Sequence, residues 1–141
     1  MLSDLYNELT FYTLGHHDPY FIHQNVVDAY TAQTANSNTK KIALFFALAG
    51  LYLTLEKGYT GRQVQLAHVK MTNHKHLIPN LSIPDDKGSM TIEHILKATE
   101  GELRDNAIKE WCASVWKAYS KERDVVIKAT EVLLTDTGGK N

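Results

Sequence analysis

The sequence predicts an all-α fold: a single-domain, up-and-down bundle of five to six helices. Apolar residues recur every three to four positions along most of the chain, and they do not alternate with polar residues over any long stretch, as they would in a strand. Segment 39–56 is apolar on every side, which is typical of a central helix covered by its neighbours. Polar links separate these segments, as expected for helices that run up and down.

The first two helices are predicted from their end signals. Residues 3–14 form the first, because Ser3 can cap its start and Gly15 can adopt a left-handed conformation at its end. The second helix is expected from 19 to about 34. Asp18 is a good N-cap for it, and the proline that follows suits the first helical position.

The third and fourth helices follow a polar turn. The third is the apolar segment 39–56, and Gly58 is its stop signal. Thr60 can cap a fourth helix at about 61–73. The apolar stripe of this fourth helix comprises Val64, His68 and Met71, with Leu66 and Val69 widening the apolar coverage.

The last part of the chain is predicted as a long loop, two helices and a tail. Residues 74–90 hold two prolines and a glycine, and long loops of this kind are often functional or mobile. A short helix at 92–98 follows. The sequence "TEGE" at 99–102 matches a capping box and starts a long C-terminal helix over about 100–134. Residues from about 136 to 141 are expected to be a disordered tail.

Composition indicates a soluble, cytoplasmic protein with one domain, residues 1–141. The formal net charge of −1 argues against nucleic acid as a partner, because phosphate binding requires a local positive excess. The longest apolar run, 42–53, is too short for a membrane span, which needs about 20 residues. The acidic start does not fit a signal peptide. The single cysteine, Cys112, excludes an intrachain disulfide and fits a reducing compartment.

The histidines suggest a metal site. His16 precedes the second helix, His23 lies beside its apolar row, and His68 lies on the apolar stripe of the fourth helix. Inward side chains on separate helices of a bundle can hold a metal ion, which neutral imidazole binds. These three histidines are therefore predicted to bind a divalent transition metal, with Asp28 as a candidate carboxylate.

The alternative is a structural role for the same histidines. The sequence contains no HExxH, no Glu-x-x-His pair and no CxxC, so no ligand spacing directly supports a metal site. His23 and His68 would then be buried residues whose hydrogen bonds fix the register of the helices. The sequence leaves both interpretations open.

A small anionic ligand is the other predicted occupant of this polar region. Arg62 lies in the first turn of the fourth helix, where free N–H groups and the helix dipole favour anions. Gln65 lies one turn further on, and Gln24 and Asp28 are four residues apart on the second helix. These four residues form the predicted ligand-binding set. The alternative for Arg62 is a surface salt bridge or a cap on a neighbouring helix end.

Three separated blocks resemble an uncharacterised bacterial family, domain-of-unknown-function family 5946. They are "YTLGHHDPYFIHQNVVDAYTAQ", "FALAGLYLTLEKGYTGRQVQLAH" and "IKEWCASVWKAY", and they extend from about residue 6 to about residue 120. The matching positions are His16, Asp18, Pro19, His23, Gln24, Asp28, Gln33, Gly58, Gly61, Arg62, Gln63 and His68. His17 and Asn25 depart from the family pattern, so His17 is given less weight as a site residue. The resemblance implies a small stand-alone bacterial protein and assigns no activity, cofactor or substrate.

Two functional hypotheses follow, and the sequence leaves open whether the protein is an enzyme. In the first, a polar pocket between the second and fourth helices binds a metal ion or a small anionic molecule. In the second, the protein is a non-catalytic structural or interaction protein, a homodimer, in which the histidines form a buried hydrogen-bond network. Its partner surface would then include Trp116, Tyr119 and the loop 74–90, whereas Trp111 and Cys112 are expected in the core.

Overall fold

The structure of the protein is a computed structural model that describes residues 2–15 and 18–138, with side chains as far as residue 135. These residues form helices and connecting segments, and no strand occurs among them. Seven α-helices lie within the described ranges: α1 (Leu2–Gly15), α2 (His23–Gln33), α3 (Lys41–Lys57), α4 (Gly61–Met71), α5 (Ile92–Lys97), α6 (Glu102–Ala118) and α7 (Arg123–Gly138). Two 3₁₀ helices, Thr72–Leu77 and Ser120–Glu122, follow α4 and α6. The all-α prediction is confirmed, with seven helices where five to six were expected.

The helix α3 lies at the centre of the bundle, as its apolar sequence predicted. All but one of its residues from Leu44 to Leu53 are buried, and α2, α4, α6 and α7 all contact it. Burying a side chain such as Phe45 or Leu48 contributes about 1.5–3 kcal/mol. No helix within residues 2–15 and 18–138 combines the length and the apolar character that a membrane crossing requires.

The predicted helix over 100–134 is wrong, because the chain breaks between α6 and α7. The 3₁₀ helix Ser120–Glu122 separates the two. Just before the break, the buried side chain of Tyr119 donates its hydroxyl proton to a backbone carbonyl of α2, at 2.6 Å. Just after it, the guanidinium of Arg123 donates to both carboxylate oxygens of Glu56 on α3, at 2.9 and 2.5 Å. These contacts turn α7 back onto the bundle, where it packs against α3 and α4.

The second helix begins at His23 and not at Pro19 as predicted. Phe21 has a φ of 58°, in the left-handed region, which interrupts helical geometry. The segment before α2 is therefore a turn, in which the Asp18 carboxylate accepts a hydrogen bond from the N–H of Ile22. Asp18 therefore caps this turn and is not the N-cap of the helix, as it was predicted to be.

The predicted cap at Thr60 is formed. Its Oγ1 accepts from the N–H of Gln63 at 3.2 Å, and Oε1 of Gln63 accepts from the N–H of Thr60 at 2.8 Å, which is a capping box. The predicted box at Thr99 is wrong, because α6 has Gly101 at its N-cap and no side-chain hydrogen bond there. Gly101 has a φ of 102° and donates its N–H to the hydroxyl of Tyr12 at 2.9 Å. At the start of α6, a hydrogen bond with Tyr12 of α1 thus takes the place of the capping box predicted at Thr99.

The predicted loop 74–90 begins within a 3₁₀ helix and then runs without regular structure toward α5. Its far end is attached to α2 through Gln33. Nε2 of Gln33 donates to the carbonyl oxygens of Lys87 and Met90, at 3.2 and 2.7 Å. The backbone of the loop is therefore held against the bundle.

The first and the last helix extend slightly beyond their predicted bounds. α1 begins at Leu2, one residue before its expected start, and α7 extends to Gly138, inside the segment 136–141 that was expected to be a tail. Residues 139–141 lie outside the described residues, so a tail there remains an expectation.

Candidate functional site

The two polar motifs meet where the turn before α2 packs against the start of α4. Gly61 is buried at this contact, and a side chain at its position would clash with the carbonyl oxygen of Phe21. The N–H of Arg62 donates to the carbonyl oxygen of Tyr20 at 3.3 Å. Because backbone meets backbone here, the contact requires a residue without a side chain.

Arg62 and Gln65 lie on the exposed side of α4. The guanidinium carbon of Arg62 lies 4.8 Å from the centre of the Phe21 ring, a cation–π contact. The N–H of Arg62 is bonded to the turn before α2, and that of Gln63 is bonded within the capping box. The predicted anion site therefore loses two of the helix N–H donors on which it was based.

His23, at the start of α2, is partly buried and bonded to α1. Its Nδ1 lies 2.9 Å from Oγ1 of Thr13, a side chain that is buried in turn. The Thr13 hydroxyl also lies 3.2 Å from the carbonyl oxygen of Thr10, to which it can donate. This contact favours the tautomer in which Nδ1–H of His23 donates to Thr13 and Nε2 carries the lone pair. Burial lowers the pKa of His23, and the nearby charge of Asp18 opposes this shift. The ring is therefore neutral at neutral pH.

His68, on α4, is partly buried and bonded to α3. Its Nε2 donates to the carbonyl oxygen of Phe46 at 2.8 Å, and its ring stacks on the Phe46 ring with the centroids 5.0 Å apart. Burial lowers the pKa of His68, and the bond to the carbonyl oxygen raises it in part. The two histidines that were expected to point inward are thus attached to different helices, His23 to α1 and His68 to α3.

The described residues do not by themselves complete the predicted metal set of His16, His23 and His68. His16 lies outside them. Among residues 2–15 and 18–138, no group of three or more His, Cys, Asp or Glu side chains is placed to hold a metal ion. A metal site at this place would need His16, so metal binding remains a prediction.

Asp28, on α2, is a carboxyl group in the core. Its Oδ1 accepts from Nε2 of Gln24 at 3.1 Å, whereas Oδ2 has no hydrogen-bond partner among the described residues. Oδ2 lies against Gly50 in the middle of α3, where an added Cβ would clash with it and lie 2.7 Å from Cγ of Asp28. Burial raises the pKa of Asp28 well above its usual range, and the hydrogen bond from Gln24 offsets part of this. A raised pKa makes this carboxyl a poorer metal ligand, since ligands bind deprotonated.

Two polar residues outside the predicted site set also connect helices. Asn25 is buried and donates from Nδ2 to Oγ1 of Thr54 at 2.9 Å, which joins α2 to α3. Gln33 accepts from Nε1 of Trp111 at 2.9 Å, which joins α2 to α6. Gly50, a glycine inside an apolar helix, is a sequence signal for the close approach of Asp28 to α3.

Trp116 and Tyr119 do not form the partner surface that the second hypothesis expected. Their side chains are 7% and 1% exposed, and Nε1 of Trp116 donates to the carboxylate of Glu56 at 2.7 Å. Trp111 and Cys112 are buried in the core, as predicted. Burial raises the pKa of the Cys112 thiol, so it is a packing residue and not a nucleophile.

A family model described as "Family of unknown function (DUF5946)" matches residues 3–120, which is most of the chain. The chain belongs to this family. The match confirms the resemblance noted in the sequence, and its range includes both polar motifs and Asp28. In this DUF5946 member, α7 lies beyond the matched range. No curated protein and no solved structure matches the chain.

Proposed function

We propose that this DUF5946 member is a non-catalytic interaction protein. The observation that carries the proposal is that three of the polar motif side chains are bonded within the chain: His23 to α1, His68 to α3 and Asp28, through Oδ1, to its own helix. In this proposal the polar motifs fix how the helices pack, and the surface of the bundle does the binding.

Energetic considerations support a structural role for this network. A typical buried hydrogen bond stabilises a fold by a net of about 0.5–1.5 kcal/mol, and leaving a buried partner unsatisfied costs about 1–3 kcal/mol. Asp28 and Cys112 are buried groups that could in principle act as a base or a nucleophile. Both have raised pKa values and neither has access to solvent.

Metal binding is a second candidate function, and one feature of His23 favours it. Its Nδ1 lies 2.9 Å from Oγ1 of Thr13, and in the neutral tautomer in which Nδ1–H donates to that oxygen, Nε2 carries the lone pair that a metal ion needs. Proteins commonly orient metal-binding histidines in this way. A divalent transition metal would then bind Nε2 of His23, with His16 and His68 as the further predicted ligands.

Metal content and stability together distinguish the two functions. In protein purified without a His tag, we expect no stoichiometric metal and no effect of a chelator on urea unfolding. His23→Gln and His68→Gln should each lower the free energy of unfolding by about 1–3 kcal/mol. The matched control is His76→Gln, on an exposed side chain, which should change it by less than about 0.5 kcal/mol. If the wild type contains stoichiometric metal and both His23→Gln and His68→Gln lose it, the proposal is overturned in favour of metal binding.

A further inference from the structure

One face of α1 carries large apolar side chains into solvent. Phe11 is 81% exposed and Leu14, three residues further on, is 57% exposed. The opposite side of the helix, with Leu9 and Thr13, is buried against the bundle. Phe11 and Leu14 define a surface that we call the Phe11 face. An exposed apolar face of this kind is typical of an interaction site.

Two surface clefts flank Phe11. The first, of about 400 Å³, lies between α1 and the start of α6, and the second, of about 350 Å³, follows α1 itself. Phe11 and Gly15 line both. A Cβ at Gly15 would meet no described atom within 4 Å, so the space at this position is open. The Phe11 ring thus stands as a ridge between two hollows that can receive apolar side chains.

The first cleft has a fixed floor. The Tyr12 hydroxyl donates to Oδ1 of Asp105 at 2.9 Å, and the guanidinium carbon of Arg104 lies 4.7 Å from the centre of the Tyr12 ring. Arg104 is 8% exposed and donates to the carbonyl oxygens of Leu96 and Ala98, at 2.7 and 3.1 Å. The side chains of Tyr12 and Arg104 are therefore held in place by contacts within the chain before any partner binds.

The accessible charge of this cleft is negative. Glu8 and Glu100 are exposed at its rim, whereas the positive charge of Arg104 is buried beneath it. The closest approach of Arg104 to Glu100 is 3.7 Å, and the Glu100 side chain remains 74% exposed. A partner that places a Lys or Arg side chain beside the rim would gain from charge complementarity.

From these features we infer that the Phe11 face binds a basic amphipathic helix of another protein. The apolar side of that helix would lie on Phe11 and Leu14, and its basic side chains would face Glu8 and Glu100. This inference deepens the proposed function, on which it rests. A second copy of this chain fits less well, because a symmetric contact would bring the acidic rims together. The same acidic rim disfavours an anionic lipid surface.

The test uses a fluorescein-labelled amphipathic peptide of leucine and lysine, with a peptide of leucine and glutamate as its counterpart. Fluorescence anisotropy should show that the full chain binds the lysine peptide and not the glutamate peptide. Phe11→Ser should weaken binding at least about tenfold, as loss of a central aromatic anchor does. The double variant Glu8→Lys with Glu100→Lys should weaken it similarly.

The matched control is Leu66→Ser, since Leu66 on α4 is 62% exposed and lies on a different helix. It should leave binding unchanged, and circular dichroism should show the same helix content in all variants. Unaltered binding by Phe11→Ser, equal binding of the two peptides, or an equal loss in Leu66→Ser would each overturn the inference. So would Phe11-dependent dimerisation in ultracentrifugation or Phe11-dependent binding to anionic vesicles. None of these results depends on metal content, so a failure here is distinguishable from a failure of the proposed function.

Discussion

Asp28 places a titratable group where its charge would be most costly. Burial raises its pKa in the folded state, whereas a carboxyl in the unfolded chain titrates near a pKa of about 3.9. Above the unfolded pKa, the folded protein therefore retains a proton that the unfolded chain releases. The free energy of unfolding is highest below the unfolded pKa and decreases as the pH rises toward the folded pKa.

Asp28→Asn tests this consequence, because an amide of the same shape has no charge at any pH. We expect the variant to be more stable than the wild type at neutral pH, by on the order of 1 kcal/mol, and to lose the corresponding dependence on pH. Urea unfolding across the pH range measures both. The exposed Asp85→Asn serves as control and should change neither. A variant with the same pH dependence as the wild type would mean that Asp28 is ionised in the core.

At the level of single residues, the sequence predicted burial only in part, since Trp116 and Tyr119, which were expected on a partner surface, are buried. The helical stripe placed Trp111 and Cys112 in the core, and both are buried. The state of Asp28 could not be predicted in the same way, because it depends on Gly50, which approaches from another helix. The same holds for Arg62, whose N–H is bonded to a turn far away in the sequence.

The packing of α2 against α3 depends on the missing side chain at Gly50. In an exposed helix, replacing glycine by alanine stabilises by about 1 kcal/mol. At Gly50 the added Cβ would clash with Oδ2 of Asp28 and lie 3.2 Å from Cγ1 of Val64. Tertiary contact therefore reverses the effect expected from helix propensity.

Gly50→Ala should lower the free energy of unfolding by about 1–3 kcal/mol, the usual cost of overpacking a core. Adding Asp28→Ala removes the clashing oxygen, so the double variant should recover part of the loss, with a coupling of about 0.5–3 kcal/mol. Gly15→Ala provides the control, because nothing lies within 4 Å of a Cβ there. Thermal or urea unfolding of the wild type, the two single variants, the double variant and Gly15→Ala gives the five values that the comparison needs. A Gly50→Ala variant as stable as Gly15→Ala would contradict the close approach.

Helix ends were predictable where the signal was local. Gly58 ends α3 with a φ of 73°, and Thr60 forms its capping box two residues later. The break between α6 and α7 lacks such a signal, since "SKER" is compatible with a continuous helix. Contacts of Tyr119 with α2 and of Arg123 with α3 determine it, and these elements are distant in sequence.

For the whole molecule, the two partly buried histidines link stability to acidity. The pKa values of His23 and His68 are lowered in the folded state, mainly by burial. The unfolded chain therefore takes up protons at a higher pH than the folded chain does. Their contribution to stability is complete above the unfolded pKa of about 6.5 and is lost as the pH falls through the lowered folded values. The histidines therefore make the free energy of unfolding increase with pH, whereas Asp28 makes it decrease with pH.

The double variant His23→Gln with His68→Gln should therefore show a weaker loss of stability on acidification than the wild type. Asp28→Asn is the suitable background, because it removes the opposing slope. The midpoint of thermal unfolding, recorded from neutral pH down to about 5, gives the two curves. Identical curves would show that neither histidine titrates differently in the folded and unfolded states. The exposed His76→Gln should leave the curve unaltered.

The fold class followed from patterns that each helix carries within itself, and so the all-α architecture and the central α3 were predictable. Which side chains meet was not predictable. Sequence spacing gives the direction of a residue on its own helix, but it does not give the residue of another helix that it contacts. His23 meets Thr13 and His68 meets Phe46, and the predicted convergence of these histidines with His16 on one pocket stays a prediction.

Both tryptophans of the chain lie on α6 and are buried. Trp111 donates to a glutamine of α2, and Trp116 donates to a glutamate of α3. Intrinsic fluorescence therefore reports the docking of α6 on two different helices without any attached dye. Replacing either indole by phenylalanine would leave an optical sensor for one of the two contacts, and hence a means of learning which contact opens first.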